Sequence, residues 1–68
     1  MIEEIMNDIL SDPDVENLDI RMDGGYWFVT AYVNYGLDHH LEEFPTSSFH
    51  LRGALESVRG MVRRGLTK

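Results

Sequence analysis

The stretch RMDGGYWFVTAYVNY, residues 21–35, decides how this chain folds. Gly24 and Gly25 are adjacent residues free to take positive φ angles, which the two-residue loop of a β-hairpin demands. Just upstream, Leu18, Ile20 and Met22 alternate with Asp19, Arg21 and Asp23, the period-two pattern of a half-buried strand. With the glycines as the loop, Met22 pairs with Trp27, Ile20 with Val29, and Leu18 with Ala31. All six side chains then share one face, which Val33 extends. A slip of one residue would carry Asp19 and Arg21 into the core, so the register is strongly specified.

The opposite face follows without further choice. Asp23 opposes Tyr26, Arg21 opposes Phe28, Asp19 opposes Thr30 and Asn17 opposes Tyr32. A cation–π contact between Arg21 and Phe28 is expected from that pairing. Tyr26, Phe28 and Tyr32 form an aromatic stripe on the side away from the inferred core. A small sheet needs only one apolar face, so this second one has two explanations. Either the first helix or the 36–46 segment covers it, and the rings pack as half-buried strand aromatics. Or it is an interface, an apolar patch bordered by charge.

Outward from the hairpin, each flank carries a helical pattern. Ile2, Ile5, Met6, Ile9 and Leu10 follow the spacing of a short amphipathic helix, with Glu3, Glu4, Asn7 and Asp8 on its polar side. Asp12-Pro13 ends it, because the residue before proline is pushed out of the α region. At the other end, Ser47 or Ser48 is expected to cap a helix running to about Arg64, with Gly65 past its end. Leu51, Leu55, Val58 and Val62, flanked by Ala54 and Met61, make its apolar stripe. Arg52, Glu56, Arg59 and Arg63 make a charged stripe, and Gly53, Ser57 and Gly60 a stripe of small residues fitted to close approach by another backbone. Between hairpin and helix, Gly36 breaks the long strand, and residues 39–44 read either as a short edge strand or as an ordered loop. Pro45 is tolerable on an edge strand. The expectation is an α+β fold: helix, two- or three-stranded antiparallel sheet, helix, packed as one two-layer domain over residues 1–68.

Composition narrows the function classes. With 68 residues the chain lies near the lower limit for a fold without staples, and with no cysteine it has neither disulfides nor a thiolate metal site. At 43% hydrophobic it should nonetheless fold. The opening MIEEIMNDIL places acids where a secretory leader carries bases, and no apolar run reaches membrane-span length. These features fit a cytoplasmic protein that does not bind membrane. The net charge of −6 divides unevenly: residues 1–45 hold eleven acids and one base, residues 46–68 one acid and five bases. The acidic front would repel nucleic-acid backbone and attract a basic partner.

Catalytic signatures are missing. There is no cysteine nucleophile, no phosphate-cradling glycine loop, and no serine with an evident histidine and acid partner. Asp38, His39, His40, Glu42 and Glu43 gather metal-capable side chains. However, a helix would put His39 and Glu43 on one face and a strand His40 and Glu42, and neither matches a ligand spacing. No enzyme activity, metal or cofactor is expected. His50 reads as a surface residue.

Element order and length resemble the double-stranded-RNA-binding domain, which implies a nucleic-acid binder. That family has a lysine-rich start to its second helix, where this chain reads SSFHLRGAL with the single base Arg52. DGGYWFV is similar to the opening strand of small antitoxin domains, without the Pro-Gly-Cys-type signature that follows there. In size and charge the chain also resembles small phage-encoded inhibitors, anti-CRISPR proteins among them, which implies docking on a larger protein in place of nucleic acid. The expected function is therefore a non-enzymatic protein-binding module, an inhibitor or regulatory accessory protein. Tyr26, Phe28 and Tyr32 would dock, with Arg21, Asp19, Asp23, Asp38, Glu42 and Glu43 around them, on a partner bearing a basic or nucleic-acid-binding surface. Two alternatives stand beside it. One is a homodimer or assembly module using Gly53, Ser57 and Gly60; the other is a nucleic-acid binder using Arg52, Arg59 and Arg63.

Overall fold

The computed structural model describes residues 1–34 and 41–66. Its elements are α1 (Ile2–Leu10), β1 (Val15–Asp23), β2 (Tyr26–Asn34), β3 (Leu41–Ser48) and α2 (Leu51–Leu66). The strands form one antiparallel sheet in the order β1-β2-β3. Gly24 (φ +57°) and Gly25 (φ +84°) make the turn, and every hairpin pair from Asp23–Tyr26 to Asn17–Tyr32 is as the sequence pattern requires. Beyond Asn17 the register shifts, so that Val15 pairs with Val33. This bulge at Glu16 returns Val15 to the inner face, where it is buried.

Residues 41–48 are a strand and not a covering loop. β3 lies beside β2, with Val33 opposite Glu42, Ala31 opposite Phe44 and Thr30 opposite Pro45. Pro45 thus sits on an edge strand, where proline is tolerated. Residues 39 and 40 lie outside the described residues.

Both helices pack on the face carrying Val29, Ala31 and Val33, which are fully buried. Ile5 and Ile9 enter from α1, and Ala54, Leu55, Val58 and Val62 from α2. α1 contacts β1 and α2, while α2 also contacts β2 and β3. Leu10 does not join the core: it is 46% exposed, because the nine-residue helix turns it away from the face that Ile5 and Ile9 occupy. Met22 lies in register on the inner face, yet at the hairpin end it remains exposed.

The chain leaves α1 through a local turn. The Asp14 N–H donates to Asp12 Oδ1 (2.9 Å), and the Val15 N–H to the Asp12 carbonyl (3.1 Å). α2 begins later and ends later than its serine and glycine suggest. Ser47 and Ser48 belong to β3, and Ser48 Oγ accepts from the His50 N–H (3.2 Å) just ahead of the helix. Gly65 is buried inside the helix and does not terminate it.

The two interior glycines of α2 have different surroundings. A Cβ on Gly53 would lie 3.1 Å from Ser48 Oγ, so the close approach there is made by the chain's own β3. A Cβ on Gly60 would meet only the tip of the Arg64 side chain, at 3.4 Å. Gly60→Ala should therefore stabilise the domain by about 0.5–1 kcal/mol through helix propensity. Gly53→Ala should gain less, since Ser48 must shift. Urea denaturation of both variants checks this order, and a larger gain at Gly53 would contradict it.

Candidate functional site

The face of the sheet opposite the helices is built rung by rung from the register. Its central strand presents Tyr26, Phe28, Thr30, Tyr32 and Asn34. β1 sets Asp23, Arg21, Asp19 and Asn17 beside the first four of these, and β3 sets Ser47, Pro45, Glu43 and Leu41 beside the last four. Strand alternation forces this composition once the inner face is fixed. No described helix covers it, because α1 and α2 both lie on the other side.

The rings are open to solvent. Tyr26 is 41% exposed and Phe28 36%. Phe49, in the link between β3 and α2, is 64% exposed and stacks on Tyr26 with centroids 4.3 Å apart and planes at 28°. Tyr26 and Phe28 lie 6.4 Å apart, tilted by 48°. The cluster is thus Phe49–Tyr26–Phe28. Tyr32 is half-buried and stands two rungs from Phe28, about 13 Å along the strand, with Thr30 between them.

The charges around the rings differ from those on the helices. Asp19 pairs loosely with Arg21 (Nε to Oδ2, 3.7 Å), and both side chains are well exposed. Arg21 makes no cation–π contact with Phe28 among the described residues; the nearby carboxylate on its own strand holds it instead. Asp23, beside Tyr26, and Glu43, beside Tyr32, take part in no ion pair among the described residues. Glu42 alternates to the helix-bearing face opposite Val33 and is separated from the patch. Asp38 lies outside the described residues.

The basic stripe of α2 is satisfied within the domain. Arg52 Nε bonds Glu56 Oε1 (3.1 Å), while Arg59 (3.4 Å) and Arg63 both reach Asp8 Oδ2 on α1. Of the small-residue stripe, Gly53 faces Ser48, Gly60 lies under the Arg64 side chain, and Ser57 is exposed. Asp8 clasps the two helices, but at a surface, where such pairs contribute little. Asp8→Asn should lower stability by less than about 1 kcal/mol, and the loss should vanish in molar salt. A larger, salt-independent loss would mean that Asp8 orders α1 by some other route.

Other sites for chemistry are sparse. Among the described residues no three His, Asp or Glu side chains gather as a metal site. A recess of about 350 Å³ is lined by Phe44, Met61, Arg64 and Gly65, and these described residues include no carboxylate or nucleophile. No helix among the described residues is long and apolar enough to cross a membrane. Comparison with family models, with curated proteins and with solved structures finds no match to the chain in any of the three.

Two members of the patch escape the sequence pattern. Leu41 (42% exposed) comes from the segment whose strand assignment was open, and Phe49 from the stretch read as the start of the last helix, which in fact links β3 to α2. The signal for Phe49 was present: it falls outside both the β3 alternation and the apolar stripe of α2, so nothing in the core accounts for it.

Proposed function

We propose that this chain is a non-enzymatic protein-binding module, an inhibitor or regulatory accessory protein, that docks through the open face of its sheet. The observation that carries the reading is the exposed Phe49–Tyr26–Phe28 cluster on a face that no described element covers. Exposed aromatic clusters bordered by charge have the composition of interface hot spots. Asp23 and Glu43, which take part in no ion pair among the described residues, favour a partner with a basic surface, including one that otherwise holds nucleic acid.

The rival surfaces have less to offer. The arginines that would contact nucleic acid are engaged by Asp8 and Glu56. The small-residue stripe already meets the chain's own Ser48 and Arg64. The test is capture of partners from the source cell's lysate by wild type and by a folded Phe28→Ser/Phe49→Ser variant, read by mass spectrometry. A protein held by wild type and lost by the variant supports the reading. A protein held equally by both, or capture of nothing but the chain itself, removes it.

A further inference from the structure

We infer that the group recognised at the hairpin end of this face is an arginine of the partner, its guanidinium lying on the Tyr26–Phe49 ring pair and bonded to Asp23. The inference rests on the protein-binding reading above and names its chemistry.

Asp23 stands directly across the hairpin from Tyr26. Side chains so placed have Cβ atoms about 4.5–5.5 Å apart, so one planar cation spans carboxylate and ring together. Phe49 is already stacked on Tyr26, so the ring pair offers its outer faces pre-ordered and loses little ring freedom on binding. Asp23 is exposed and pairs with no cation among the described residues.

On the next rung the face has a cation of its own, paired with a carboxylate and not stacked on the ring. There Arg21 stands opposite Phe28 and its guanidinium is held by Asp19 at 3.7 Å. This face of β1 thus carries Asp19 and Asp23 but one arginine, which Asp19 takes, and the Asp23–Tyr26 rung has no cation among the described residues. Charge complementarity selects a cation for that place. Planarity selects arginine over lysine, because a guanidinium stacks on a ring and binds a carboxylate bidentately, whereas an ammonium is a strongly hydrated point charge. A second copy of this chain fits poorly, since its Arg59 and Arg63 are held by Asp8 and its own sheet face repeats the same acids.

Titration with hexa-arginine and with hexalysine peptides, followed by NMR at about 0.15 M salt, tests this. Hexa-arginine should bind roughly three- to tenfold more tightly, with the largest shifts at Asp23, Tyr26 and Phe49. Asp23→Asn, an exposed change that leaves the core intact, should remove most of that preference. Equal affinities, shifts spread over the acidic surface, or an unaltered preference in Asp23→Asn would each overturn the assignment. The two readings fail separately. A captured protein lost by the ring variant, with no arginine preference, leaves the docking face standing and removes only the arginine. An arginine preference with no ring-dependent protein partner does the reverse.

Discussion

Leu55→Ala is expected to leave the domain largely unfolded at room temperature. Leu55 is fully buried in the middle of the apolar stripe of α2, in the same core cluster as Val29, Ala31 and Val33. Truncating such a leucine removes about 2–5 kcal/mol, part transfer free energy and part the cavity left behind. A chain of 68 residues with no disulfide has little to set against that, since one small core rarely supplies more than about 3–5 kcal/mol. The neighbours cannot collapse into the hole easily, because Val29 and Val33 are fixed by pairing on both sides of β2, the central strand. Circular dichroism and urea denaturation would read the result. A cooperative transition shifted by less than about 1 kcal/mol would show that the core relaxes around position 55, and that stability is spread more evenly than the burial implies.

The hairpin was legible because two constraints agree there. A glycine pair that demands a tight turn and an alternation that tolerates only one register lead to the same seven pairs. The apolar stripe of α2 was legible for the same reason, with helical spacing sustained from Leu51 to Val62. β3 was not, because LEEFPTSS places only Phe44 as an apolar residue on the inner face, so alternation gives almost no signal. The start of α2 was obscured by the same segment. Ser47 and Ser48 have cap chemistry, but strand pairing with Phe28 and Trp27 claims them first. Gly65 resembles a helix stop, yet it lies buried within the last turn of α2, which continues past it.

The candidate site was readable on β1 and β2 and unreadable where β3 contributes. Tyr26 and Phe28 follow from the hairpin register alone. Phe49 depends on where a strand ends, and Glu42 and Glu43 part company according to which face each takes. Since strand alternation assigns neighbours to opposite faces, an uncertain register on β3 left those two acids indistinguishable. The same uncertainty allowed the 36–46 segment to be drawn over the rings, a cover that residues 41–46 do not provide because they extend the sheet sideways.

Phe28→Ser/Phe49→Ser should separate binding from folding by a wide margin. Neither ring belongs to the core cluster, so their loss costs the fold the strand propensity and partial burial of Phe28 and the contacts of the two rings with Tyr26. Those terms are each about 1 kcal/mol or less. At an interface the same rings would be desolvated completely, and aromatic hot spots there typically contribute 2 kcal/mol or more each. Affinity for the partner should therefore fall at least about 100-fold while the urea midpoint moves little. The opposite pattern, a domain that unfolds while its residual folded fraction still binds, would place the rings in the fold and the docking face elsewhere. The contrast has force because the energetic arguments run in opposite directions. A ring kept for stability should be fully buried, and neither of these is; a ring kept for a partner must be at least partly uncovered in the free protein, which leaves apolar surface in water until the partner arrives.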